Sequence, residues 1–206
     1  ARAFASGALL RPAEAEPDLV HLARTLARSA GVSFREPPGA AEAEPLRRIE
    51  PGAHLVFVLL DGLGMNLMTR LPEETFLRRQ LQRSIRASCP STTACALTSI
   101  ATGAWPSEHG VTGWFTHLPE HDFTLITLPM LDRSTGKPIL ERGLGASDVL
   151  PIAAYHGALS SHPLTLLPHQ LRDTVYARYS RAGTEAVGYE SIAEAVERIV
   201  EHVAWG

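Results

Sequence analysis

"HLVFVLLDGLG", His54 to Gly64, carries six consecutive apolar residues from Leu55 to Leu60, followed by an aspartate and a Gly-x-Gly turn. Branched and aromatic side chains dominate the run, and it is apolar on both faces. That pattern belongs to a central parallel strand covered by helices on each side. Asp61 then falls at the carboxyl end of the strand, where open α/β sheets bind ligands. The stretch predicts an α/β fold with a mostly parallel central sheet and helices on both faces.

Helical patterns surround it. From Asp18, an N-cap residue type, apolar residues recur as Leu19, Leu22, Ala23, Leu26, Ala27 and Ala30, with Gly31 as the stop. "REPPGAAEAEP", Arg35 to Pro45, has prolines, glycine and acids without periodicity and reads as an exposed linker. Beyond the strand, "PEETFLRRQLQR" opens with Pro72 in a first-turn position and sets Phe76, Leu77 and Leu81 on one side of a helix, with a short extended piece near Ile85. Pro90 to Pro106 holds no charged residue, so a helix there has to be buried. From Val111 to Gly188 the punctuation is dense, and runs such as "TLITLPML" and "DVLPIAAY" suggest strands and loops. Near the end, Ser191 with Glu194 forms a capping box before Ile192, Ala195, Val196, Ile199 and Val203 on one helical face. Helices alternating with buried strands argue for a single α/β domain over residues 1–206.

The bulk numbers narrow the function. The 206 residues are 45% hydrophobic and 20% charged, with a formal net charge of -3 and no Lys/Arg-rich run. No electrostatic footprint for nucleic acid or an anionic membrane is present. No stretch approaches the roughly 20 apolar residues of a membrane span, and "ARAFASGALL" lacks the order of a secretory signal. Cys89 and Cys95 have no further Cys or His at zinc-ligand spacing and read as free thiols of a cytoplasmic protein. The chain starts at Ala1 without an initiator methionine, as a trimmed or partial sequence would. Nothing in the sequence indicates an oligomeric state.

The chemistry concentrates at two places. Asp61 before Gly62 suits a loop opener; Gly62 and Gly64 lack the third glycine of a dinucleotide fingerprint, and a carboxylate at the strand tip would repel a pyrophosphate. Ser91, Thr92 and Thr93 stand directly before the uncharged helix, where one hydroxyl suffices as a cap. Together the two places suggest more. A helix N-terminus offers free N–H groups and positive potential to an anion, and an aspartate nearby can hold a divalent cation. Threonine is a poor nucleophile at neutral pH unless a metal ion lowers the pKa of its hydroxyl.

"VLLDGLG", "PSTT" and "TSIATGAWPSEHGV" resemble the N-terminal half of the alkaline phosphatase superfamily, most closely its bacterial type I phosphodiesterase/nucleotide pyrophosphatase branch. The family pattern is an Asp at a strand end, a Pro-x-x-Thr, a Thr-Gly nine and ten residues later, then Pro and His-Gly; counted from Thr93 it lands on Thr102, Gly103, Pro106, His109 and Gly110. The resemblance implies that Asp61 and Thr93 are ligands of a two-metal centre, usually zinc. It further implies that Thr93 attacks phosphorus to form a phospho-threonine, and that the amides at the helix start bind the anion, with Ala94 a substrate-binding position. Leu97, Ile100 and Ala101 would point into the core, and the His109-Gly110 pair would be a structural turn. The implied substrate is a small-molecule phosphodiester or nucleotide.

Two departures qualify this. An asparagine common in the family is replaced by Trp114, whose ring could stack on a base or aryl leaving group or simply fill a lid or core. The Asp-x-x-x-His and Asp-His-Gly of the family are absent too: Asp122, Asp132, Asp148 and Asp173 have no histidine at the required spacing. His117, His121, His156, His162, His169 and His202 fall in no such pattern. The expectation is therefore the N-terminal part of a longer catalytic domain, holding half an active site. Two alternatives stay open: another activity of the superfamily, namely phosphomonoesterase, phosphonate hydrolase or phosphomutase, or a truncated, non-catalytic binding module. Sulfatase chemistry is disfavoured, since no Cys-x-Pro-x-Arg frame is present.

Overall fold

In a computed structural model of the chain, residues 17–34, 52, 54–161 and 163–205 are described. The expected linker Arg35–Pro45 and His162 lie outside them. Helix α1, Leu19–Ser29, forms as its caps dictate. The Asp18 carboxylate accepts from the amides of Val20 (2.9 Å) and His21 (3.1 Å). At the other end Gly31, at φ +90°, and Val32 donate back to the carbonyls of Arg28 and Ala27, the double return bond of a Schellman stop. The buried face is Val20, Ala23, Arg24 and Ala27, rotated from the expected leucine stripe. Small residues there let α1 lie close to the buried helix α4, and Arg24 donates through Nε to Gly103 O at 2.6 Å.

The run from Leu55 to Leu60 departs from the central strand expected of it. It joins no ladder, and its side chains are 44–62% exposed. A central strand needs backbone partners on both sides and cover on both faces, and among the described residues this run has neither. After it come α2 (Met65–Met68) and α3 (Phe76–Arg79), each of a single turn. The helix expected from Pro72 is thus mostly a turn, closed by Thr75 N donating to Pro72 O. Arg86, next to the expected extended piece at Ile85, makes a lone parallel bridge with Asp18.

Helix α4, Thr93–Thr102, is the buried uncharged helix, and α5, Pro106–His109, follows it. Three short strands, β1 (Phe115–Leu118), β2 (Phe123–Ile126) and β3 (Leu131–Asp132), make an antiparallel sheet in that order, with Phe115 opposite Ile126 and Leu125 opposite Asp132. The "DVLPIAAY" segment begins in the last two residues of α6, Ala146–Val149, and continues as loop in place of a strand. Strand β4 (Thr165–Pro168), α7 (Val175–Ser180) and β5 (Ala186–Tyr189) make one parallel β-α-β unit, and α8, Ile192–Trp205, closes the described chain. Among the described residues the fold is mixed α/β with two small sheets, which do not make up a clear parallel central sheet.

The core sits between α4, the antiparallel sheet and α7. Ala94, Val111, Phe123, Leu125, Met130, Ile139, Val149, Leu150 and Tyr176 form one buried cluster. On α4 the buried face is Ala94, Cys95, Thr98, Ser99, Ala101 and Thr102, while Leu97 and Ile100 are half-buried. Hydroxyls inside a core need partners. Thr98 Oγ1 donates to Ala94 O (2.8 Å) and meets the Tyr176 hydroxyl at 2.9 Å, and Thr102 Oγ1 donates to Thr98 O at 2.7 Å.

Candidate active site

The hydroxyl run leads straight into α4. Thr92 occupies the N-cap with extended backbone angles, but its side chain makes no capping bond. The first-turn amides of a helix have no intrahelical acceptor, so here they are not satisfied by the residue type best suited to do so. Thr93 is the first helical residue and is exposed. Its Oγ1 donates to Asp61 Oδ2 at 3.4 Å, across 32 residues of sequence. That is long for an O–H···O bond, a contact of two open groups in place of a buried lock. The fold thus brings together the two residues expected as metal ligands.

Ala94 stands differently. Only 1% of it is exposed and its methyl is in the core, which leaves any substrate contact to its N–H. Trp114 is half-exposed just before β1. The preceding residue, Gly113, lies against the hydroxyl run: a Cβ on it would stand 3.7 Å from Thr92 Oγ1.

The remaining motif residues build the scaffold beneath. Gly103 ends α4 at φ +65°, and a Cβ there would come within 2.6 Å of the Phe34 ring, so both the backbone and the space call for glycine. Thr102 Oγ1 accepts from Ala104 N, fixing the same turn. Pro106 opens α5, Gly110 closes it at φ +73°, and His109 is buried between. His109 Nδ1 accepts from Val111 N (3.1 Å), which leaves Nε2 to carry the proton and donate to Ser99 Oγ at 3.0 Å. Burial pushes its pKa down to about 4, so the ring is neutral near pH 7. A ring whose Nε2 already holds a proton cannot take one from Ser99, and this pair is no nucleophile–base dyad. The Ser99–His109 and Thr98–Tyr176 pairs did not stand out in the sequence; the one available signal was a pair of hydroxyls mid-helix in an uncharged segment.

Zinc takes three or four protein ligands. Asp61 and Thr93 offer two oxygens, and among the described residues no three His, Cys, Asp or Glu side chains converge. The residues present therefore do not fit a complete metal pair. No helix among the described residues is long and apolar enough to cross a membrane.

Residues 55–137 match the family model described as Type I phosphodiesterase / nucleotide pyrophosphatase. No curated protein and no solved structure matches the chain. The matched segment starts at the apolar run and contains Asp61, Thr93, Ala94, the Thr102-to-Gly110 scaffold and Trp114. Residues 55–137, less than half of the chain, are thus similar to the type I phosphodiesterase/nucleotide pyrophosphatase family, a member of the alkaline phosphatase superfamily.

Proposed function

We propose that the protein hydrolyses a phosphodiester or pyrophosphate bond with Thr93 as nucleophile. The match of residues 55–137 to a phosphodiesterase family model points to a phosphoester hydrolase. The observation that carries the finer reading is the Thr93–Asp61 contact of 3.4 Å at the uncapped start of α4. The first-turn amides of that helix end favour an anion in front of it, and the Thr93 hydroxyl there donates to the Asp61 carboxylate. Thr93 Oγ forms a bond to phosphorus as the bond to the leaving oxygen breaks, the hydroxyl proton passing toward Asp61 Oδ2. Water then attacks the phospho-threonine, returning free Thr93 and releasing the phosphate ester.

Asp61 and Thr93 are also the part of a metal site that this segment would contribute, short of the ligands that two divalent ions need. That shortage favours one second reading, a non-catalytic binding module. Turnover of bis(p-nitrophenyl) phosphate separates the two. Thr93→Ala is expected to lower it by on the order of a thousandfold or more, with Thr93→Ser retaining part of it. Equal turnover by Thr93→Ala and the unaltered chain would overturn the nucleophile assignment. No turnover by either protein would favour the binding module.

A further inference from the structure

The start of α4 is not held from within. Thr92 at its N-cap makes no capping bond, Thr93 and Asp61 are both exposed, and their contact is long. The segment between α5 and β1 lies against it and is tied to α4 near both ends. His109 meets Ser99 Oγ at 3.0 Å, and a Cβ on Gly113 would stand 3.7 Å from Thr92 Oγ1. Thr92 and Ser99 are about two helical turns apart, so residues 109–113 run back along α4 toward its first residue.

Thr127 holds the far end of this segment. It follows β2, is fully buried, and bonds to the segment twice. Its N–H donates to Trp114 O at 2.9 Å, one step beyond the Phe115–Ile126 pair of the ladder. Its Oγ1 donates to Gly113 O at 3.0 Å. The same oxygen meets Thr116 Oγ1 at 3.2 Å, and with its own proton given to the carbonyl it accepts from Thr116. The backbone bond needs no particular side chain, and valine would suit a buried sheet end as well. The hydroxyl that pins Gly113 is what valine lacks.

We propose that Thr127 is a positioning residue of the phosphoryl site: through Gly113 it sets where Thr92, and with it Thr93, stands at the start of α4. The proposal rests on the reading of Thr93 as nucleophile. Thr127 has no exposed surface with which to meet a substrate, so it acts through geometry alone. A misplacement of about 1 Å at a reacting centre costs on the order of a hundredfold in rate.

The test compares turnover of bis(p-nitrophenyl) phosphate by the unaltered full chain, Thr127→Val, Thr127→Ser and Thr116→Val, with the folded fraction of each taken from urea unfolding. In folded Thr127→Val, kcat is expected to fall by about tenfold or more with KM little changed. Thr127→Ser keeps the hydroxyl and is expected to recover most of the rate. Thr116→Val leaves the bond to Gly113 O in place and is expected to match the unaltered chain. An unchanged kcat in Thr127→Val, or an equal fall in Thr116→Val or Thr127→Ser, makes Thr127 a packing residue and overturns the positioning role, with Thr93 still standing as nucleophile. If Thr127→Val does not fold, Thr127→Cys, a weak donor, takes its place: a lowered kcat supports the role and an unchanged one overturns it. No turnover by the unaltered chain, or equal turnover by Thr93→Ala, removes the nucleophile reading and this proposal with it.

Discussion

Val111 N–H fixes which nitrogen of His109 carries the proton, and burial fixes that ring as neutral. The pH dependence follows with a definite sign. In the unfolded chain the imidazole takes a proton near pH 6.5, whereas in the folded chain it resists until about pH 4. The unfolded state therefore binds more protons between those values. Stability is fully present above about 6.5 and falls by about 3 kcal/mol as pH drops toward 4. Urea unfolding from pH 7 to pH 4.5 checks this, with His109→Gln expected to be less stable at pH 7 and flatter across the range. Asp132 acts in a lower window. Hydrogen bonds from Ser134, with help from the Arg142 guanidinium, hold its carboxyl down to about 2, so its contribution is lost only as pH falls below about 3.8. At this scale much was legible. The spacing from Thr93 through Gly110 marks residues that take up ordered positions, but a count along the chain cannot say that Thr102, Gly103 and His109 hold the turn while Thr93 is exposed at the helix start.

Helix α1 was readable because its caps are local chemistry. Asp18 before an apolar-periodic stretch and Gly31 after it suffice, whatever the rest of the chain does. Asp18 does a second job that no local pattern reveals, since its other carboxylate oxygen accepts from Trp105 Nε1 and ties α1 to the turn after α4. Asp18→Ala is therefore expected to cost about 1–2 kcal/mol, the upper part of the usual range for a cap, and Asp18→Asn less; thermal unfolding of both variants measures the difference. Helix α8 was legible for the same local reason, Glu194 N donating to Ser191 Oγ at 3.2 Å, although the returning Glu194 carboxylate caps Glu190 N in place of Ser191 N. Helix α4 was legible as buried, but not in its facing. Its hydroxyls find internal partners, Ala94 O and Tyr176 for Thr98 and the His109 ring for Ser99, so Thr98 and Ser99 go inward and Ile100 stays at the margin.

Across the molecule the mixed α/β class was legible, whereas the mostly parallel central sheet expected is not clear among the described residues, and the reason is physical. Strand character of an apolar run is realised only through neighbours, and Leu55 to Leu60 find none among the described residues. Ile192, at 80% exposure, with Val196 and Val200 of α8, is likewise uncovered. The family match over residues 55–137 nevertheless spans both halves of the candidate site. Asp61 and Thr93 reach one another without that sheet, through the placement of the Asp61 turn against the start of α4. Their two oxygens fall short of a zinc site, so metal analysis of the dialysed chain is expected to find well under one tightly held zinc per molecule. A stoichiometric, dialysis-resistant ion would mean that further ligands converge.

The phosphoryl-transfer reading is tested most directly by acid-quenching the chain during turnover of bis(p-nitrophenyl) phosphate and mapping any covalent phosphate by peptide mass spectrometry. The account predicts a p-nitrophenyl phosphoryl adduct on the peptide carrying Thr93, at that residue alone, and its disappearance in Thr93→Ala. Turnover with the adduct on another residue, or with no adduct and full activity in Thr93→Ala, would contradict it.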